Sequence, residues 1–281
     1  FLMRAGDPKY SYNENQYSHY LLTGDSQITS KIVSSVAAHT QINRNSFFTE
    51  RNLAMGLHAQ VTRYDFAAST GLNPTNVATY RSAIATTIGE VEWMINNPNF
   101  RYSYGPNALR TGCINYYVED DSTTLGFSPW MSSLLAQALA RAYVSTGDTR
   151  IPTIMTDLGH CLVDYGSVTS GAYLLPLYTA SAVSATPQWP NGDTDGDSQH
   201  ALDVGYAVAL AAYLTPDSAA KTKFTNAANQ YLTAHRGTAA LGGWSSANTR
   251  RYSWFYKAGP AMDWLITGKI DSPVITSGGP S

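Results

Sequence analysis

Apolar residues return at helical intervals along most of the chain, in blocks that come in pairs. From Pro129 to Thr146, the residues Trp130, Leu134, Leu135, Ala138, Leu139, Ala142 and Tyr143 fall on one face, which predicts an amphipathic helix. A second block follows from about Arg150 to Tyr165, with Ile151, Ile154, Met155, Leu158 and Leu162 aligned. The same pairing predicts helices over 13–22 with 27–39, 49–68 with 74–96, and 199–213 with 216–234, then a last helix from Trp254 to Gly268. Pro74 and Pro216 stand where the first turn of a helix accepts proline, and Thr49, Asp148 and Ser198 are candidate N-caps. Little reads as strand: Ile114, Tyr117 and Val118 alternate weakly, and Tyr173 to Tyr178 is a short extended run.

Within each pair the turn is short and repeats. Residues 20–26 read YLLTGDS, residues 143–149 read YVSTGDT, residues 213–218 read YLTPDS, and Thr70-Gly71-Leu72-Asn73-Pro74 is a degenerate copy. The Asp of each clear turn is expected to cap the next helix, at about 1 kcal/mol apiece. Between pairs the connections are much longer, covering roughly 40–48, 98–128, 168–198 and 237–253. Loops beyond about 15 residues are uncommon in compact domains and are usually functional. If the short turns share one face, function is expected on the other. Nothing in the pattern divides the chain, so residues 1–271 read as one domain, followed by a Pro/Gly/Ser-rich tail over 272–281.

Composition narrows the class of partner. Charged residues make up 14%, against roughly 25% in ordinary soluble domains, so polarity rests on Ser, Thr, Asn, Gln and Tyr. That hydroxyl- and amide-rich surface is expected of a secreted or periplasmic protein, and a start at Phe1 instead of an initiator Met reads as a mature form or an excised domain, with processing favoured. A net charge of −2 and the lack of a basic stripe argue against nucleic acid. The longest apolar run, Tyr206 to Leu214, falls well short of the roughly 20 residues of a membrane span. Cys113 and Cys161 are the only cysteines, and a bridge between them and two buried thiols are equally open readings.

With its paired helices, the chain resembles the (α/α) toroid carbohydrate-active enzymes, the six-hairpin glycoside hydrolases and related polysaccharide lyases. The resemblance is carried by Glu50 to Phe66 (ERNLAMGLHAQVTRYDF), by Phe127 to Asp148 (FSPWMSSLLAQALARAYVSTGD) and by Gln199 to Asp217 (QHALDVGYAVALAAYLTPD). It covers about residues 13–268 and implies an all-α toroid with long loops on one face. Four hairpins and a final helix are countable, fewer than the six pairs of a full toroid. It also implies a substrate cleft where the inner helices begin.

Several residues on that expected face have suitable chemistry. Glu119, Asp120 and Asp121 form an acidic run in a low-charge chain, and adjacent carboxylates raise one another's pKa. A proton donor beside a base is what glycoside hydrolysis needs, although a solvated acidic loop explains the same run. Glu50 begins another inner helix, where the helix dipole favours an acid in any case. Asp193, Asp195 and Asp197 occupy the first, third and fifth positions of a calcium loop, but Ser198 and Val204 stand where that loop needs Gly and Glu. The stretch reads as a non-EF Ca2+ site or as an Asp/Gly-rich turn, and no cofactor is required by the cleavage chemistry. His200 is a candidate base for β-elimination, with Tyr252 or Tyr256 as proton donor. Trp130, Trp189, Trp244 and Trp254 lie in or beside long connections, where indoles stack on sugar rings or seal loops onto helices. Arg250, Arg251 and Lys257 can neutralise a uronate.

The expected function is hydrolysis of a poly- or oligosaccharide by paired carboxylates, with Asp120 or Asp121 as acid. Their partner would be Glu50 or an Asp of 193–197. Elimination by a lyase is the second reading, using His200, Tyr252 and the basic group. A third, from another class, is a non-catalytic glycan-binding or self-associating surface protein, since Tyr and Trp also favour interfaces.

Overall fold

The computed structural model describes residues 14–29, 49–71, 74–98, 100, 112–118, 121–171, 173–181, 200–236, 261–262 and 264–267. Among these the chain is mostly helical. Helix α1 (Glu14–Thr23) is followed by α2 (Glu50–Thr70), α3 (Pro74–Asn96), α4 (Pro129–Thr146), α5 (Ile151–His160), α6 (Ala201–Leu214) and α7 (Ser218–Arg236). Residues 261–262 and 264–267 are helical as well. Five short strands fill the connections that lead to α4 and α6: β1 (Tyr116–Val118), β2 (Asp121–Phe127), β3 (Ser167–Ser170), β4 (Tyr173–Pro176) and β5 (Ala180–Ser181).

The helices pair in sequence order as α2–α3, α4–α5 and α6–α7. The first member of each pair also packs on the first member of the next, α2 on α4 and α4 on α6. These first helices are the inner ones. From Thr49 to Thr62 every residue but Arg51 is buried, and α6 is buried from Ala201 to Ala212 except at Tyr206. The cause is visible in composition. Helix α6 is apolar nearly all round, as a helix enclosed by neighbours must be. Helix α7 instead turns Lys221, Asn226 and Asn229 to water and Phe224, Ala227, Ala228 and Tyr231 to the core. One apolar cluster, including Leu53, Ile88, Leu135, Leu139, Ile154, Leu158, Val208 and Phe224, runs through all three pairs. Helices α6 and α7 approach so closely that a Cβ at Gly205 would lie 2.8 Å from the Tyr231 Cβ.

Each repeated turn is closed by its own side chains. In the second, Thr146 Oγ1 donates to the Ala142 carbonyl (2.7 Å) and accepts the Asp148 N–H (3.4 Å), while Asp148 Oδ1 accepts the Arg150 N–H (3.1 Å). Gly147 takes φ 68°, which a side chain would disfavour, and its N–H reaches the Tyr143 carbonyl. Thr23 and Asp25 repeat these bonds around Gly24, and Thr215 and Asp217 repeat the Asp N–H and capping bonds. The expectation that the turn Asp residues are caps holds at Asp217, which directly precedes α7 and accepts two of its first N–H groups. Asp25 and Asp148 accept the N–H two residues on, and at α5 the cap position itself is Arg150, with no side-chain capping bond. Asp148 also receives a bidentate contact from the Arg150 guanidinium, which holds its carboxyl below the ordinary carboxylate range.

In the three-stranded sheet, β2 lies between β1 and β5, antiparallel to both, with Tyr116 opposite Gly126 and Gly126 opposite Ser181. β3 and β4 form a separate antiparallel pair. Cys113, just before β1, is joined by a disulfide to Cys161 at the end of α5. Beside it, Gly112 has φ 83° and lies so close to α5 that a Cβ would sit 2.8 Å from the Asp157 carbonyl oxygen.

Four other expectations are corrected. The second helix of the Pro129 pair is not regular to Tyr165: α5 ends at His160 and continues as a π-helical turn, Cys161–Tyr165, with Gly166 N–H bonded to the Cys161 carbonyl. Pro216 precedes its helix, because Asp217 accepts the Ala219 and Ala220 N–H groups and starts α7 at Ser218. Asp121 opens a strand. Thr49 holds the N-cap position of α2 in extended conformation, but its hydroxyl makes no capping bond.

Candidate functional site

The inner helices begin at the end of the molecule away from the Thr-Gly-Asp turns, and there their first residues meet. Glu50 opens α2 and is fully buried, and its Oε1 accepts a hydrogen bond from the buried Ser132 hydroxyl on α4 (3.0 Å). The positive end of each helix dipole favours a carboxylate in this position. Trp130, in the first turn of α4, stacks on His200 with ring centroids 4.6 Å apart and planes 14° from parallel. The Arg51 guanidinium lies 5.3 Å from the Trp130 ring centroid, within cation–π reach. Trp130 and His200 are each only 7% exposed.

His200 precedes α6, and Asp203 lies one turn on. Their spacing brings His200 Nδ1 to 3.2 Å from Asp203 Oδ2, with the carboxyl fully buried. An ionised carboxylate only accepts hydrogen bonds, so an ionised Asp203 would take its bond from the Nδ1 proton of His200. Pairing of an imidazole with a buried carboxylate is an arrangement that general bases share. Tyr178 completes the group from the connection between β4 and β5, 6.4 Å from Trp130 and 6.1 Å from His200 between ring centroids. Its carbonyl accepts the Ser128 hydroxyl (3.0 Å), and at 47% exposure it is the ring of this group that faces solvent. Thr49 Oγ1, Asn52 Oδ1 and Trp130 Nε1 lie at the same end, shielded from water and without a hydrogen-bond partner among the described residues. Each such group costs about 1–3 kcal/mol, so this end of the fold tolerates polar capacity that packing alone does not use.

Of the residues singled out in the sequence, Glu50, Trp130 and His200 are brought together. Trp130 is buried between helices instead of offering an open face. Asp121 begins β2 opposite Val118, and that strand runs straight into Ser128 and Trp130. Asp120, Tyr252, Trp189, Trp244, Trp254, Arg250, Arg251, Lys257, Asp193, Asp195 and Asp197 lie outside the described residues. Ser132, Tyr178 and Asp203 were not anticipated. The His200–Asp203 spacing of three residues on a helix was the available signal for Asp203.

Among the described residues, no three His, Cys, Asp or Glu side chains are grouped to hold a metal ion, and no helix is long and apolar enough to cross a membrane. Comparison of the chain with protein-family models, curated proteins and solved structures gave no match.

Proposed function

We propose that the chain is a carbohydrate-active enzyme of the (α/α) toroid type, cleaving a poly- or oligosaccharide where its inner helices begin, with His200 as the base. The observation that carries this reading is the His200–Asp203 pair beside the exposed Tyr178 ring. An imidazole paired with a buried carboxylate suits abstraction of the proton next to a uronate carboxyl group. The electron pair then expels the glycosidic oxygen and leaves a double bond in the ring. The leaving oxygen takes its proton from a tyrosine hydroxyl, the role given to Tyr252, while Arg250, Arg251 or Lys257 neutralises the uronate. Tyr178 offers a face for the sugar ring. The side-by-side packing of α2, α4 and α6 supports the toroid, and the Cys113–Cys161 bridge supports an oxidising, extracytoplasmic setting.

Hydrolysis is the second reading, favoured by the buried Glu50 and its Ser132 bond. Elimination and hydrolysis separate in one assay on neutral and uronate-containing polysaccharides, following ultraviolet absorbance of the unsaturated product together with new reducing ends. Elimination predicts both signals, lost in His200→Asn and in Asp203→Asn at unchanged circular dichroism. Reducing ends without absorbance, lost in Glu50→Gln, would establish hydrolysis instead. Silence of the wild-type chain in both channels, with retained glycan binding, would identify a binding protein.

A further inference from the structure

Deeper along the inner helices, a separate cavity of about 310 Å³ opens between α2, α4 and α6. Helix α4 contributes Gln137, Ala140, Arg141 and Val144, a stripe at i, i+3, i+4 and i+7 that lies beside the core stripe of Leu135, Leu139 and Ala142. His58 enters from α2, with Tyr206 and Leu210 from α6. Tyr206 lies six residues beyond His200, about 9 Å along the helix, so the cavity is distinct from the His200–Asp203 pair.

The described lining is rich in donors. Among the described residues that line it, the polar groups are a guanidinium, an amide, an imidazole and a phenol, each able to donate, and the carboxylate nearest them is Asp65 on Arg141. Arg141 is held in direction by Asp65 at 3.3 Å, with both side chains about three-quarters or more buried. Gln137 is 7% exposed, and its amide nitrogen has no hydrogen-bond partner. A buried donor in this state is costly unless something accepts from it. Ala140, Val144 and Leu210 supply an apolar surface for a carbon body.

We propose that this cavity binds a small organic carboxylate, with the carboxylate accepting from Arg141 and Gln137 and the carbon body resting on Ala140, Val144 and Leu210. Its volume sits at the lower end of small-molecule sites, which suits a single sugar acid and not a polymer. The proposal does not need the chain to cleave anything.

The test is calorimetric titration of the full chain with sodium D-glucuronate, matched against D-glucose at the same ionic strength. Saturable binding of glucuronate at least about tenfold tighter than glucose is expected, because a charge-assisted bidentate contact is worth at least that factor. Arg141→Gln should weaken it by about the same factor. Should that variant lose its fold with the Asp65 contact, Val144→Glu decides: this position is 86% exposed, and a carboxylate there should repel the anion and weaken binding several-fold. Equal affinity for the two sugars, no saturable heat, or unchanged binding in the folded variants would overturn the proposal. Turnover is not read in this experiment, so its failure leaves the cleavage reading where it stood, and the reverse.

Discussion

Removal of the Cys113–Cys161 bridge gives the sharpest test of how the fold is held. The cysteines are separated by 48 positions in sequence, and closing a loop of that length in the unfolded chain is worth about 4 kcal/mol in the chain-entropy treatment. Both cysteines are fully buried, so replacing them with alanine also empties a small volume, adding on the order of 1 kcal/mol. Against a total stability of about 5–15 kcal/mol, this is a large share. The double variant Cys113→Ala/Cys161→Ala should unfold in urea at a clearly lower midpoint, with a loss of about 3–5 kcal/mol and a fall in Tm on the order of 10 °C. Wild type unfolded in the presence of a phosphine reductant should converge on the variant, and the unreduced denatured chain should show no titratable thiol. Unreduced wild type and the double variant agreeing in stability to within about 1 kcal/mol, the size of the cavity contribution alone, would refute the loop-closure reasoning. Two thiols in the unreduced chain would refute the bridge itself.

Asp148 gains stability from Arg150, so its contribution is complete above the ordinary carboxylate pKa and is lost as pH falls through its depressed folded value. Asp148→Ala should therefore cost about 1–2 kcal/mol at pH 6–7, and progressively less below about pH 4, in urea titrations at a series of pH values. Asp157 has the opposite sign: burial raises its pKa, so the stability present below its ordinary pKa is lost as pH rises through its folded value. Asp157→Asn should accordingly raise the urea midpoint at neutral pH and leave it unchanged in acid, and a lowered neutral midpoint would contradict this. Gly205→Ala should destabilise by about 1–3 kcal/mol, since its Cβ would meet Tyr231 and Met262 in a packed interior. Calorimetry showing no loss would mean that α6 and α7 can separate at little cost.

The helices and their pairing were legible because α4 carries a helical period, because the apolar stretch of α6 is too long for an ordinary strand, and because Thr-Gly-Asp specifies its own bonds within a few residues. β2 was obscured by the acids at its start, although Thr123, Thr124 and Phe127 are strand-forming types. The π-helical turn left no trace in Cys161 to Tyr165, whose spacing continues that of α5. At the site, Glu50 and His200 were found as isolated residues. Their neighbours depend on tertiary placement: Ser132 reaches Glu50 across 82 positions, and Tyr178 comes from a connection read only as extended. Chemistry that depends on which helices are neighbours is not written in local periodicity.

The self-closing turns also bear on the order in which the molecule assembles. The Thr and Asp bonds that reverse the chain span no more than four residues, so a hairpin can close without help from the rest of the protein. Joining Glu50 to Ser132, or Trp130 to His200, requires long loops to be drawn in first, and loop entropy makes such steps late and slow. A chain caught part-way would therefore retain its turns and most of its helix while lacking the end where the inner helices converge. In such a protein helical content is a poor proxy for competence, and only the late docking of one hairpin on the next creates the surface on which any ligand could be recognised.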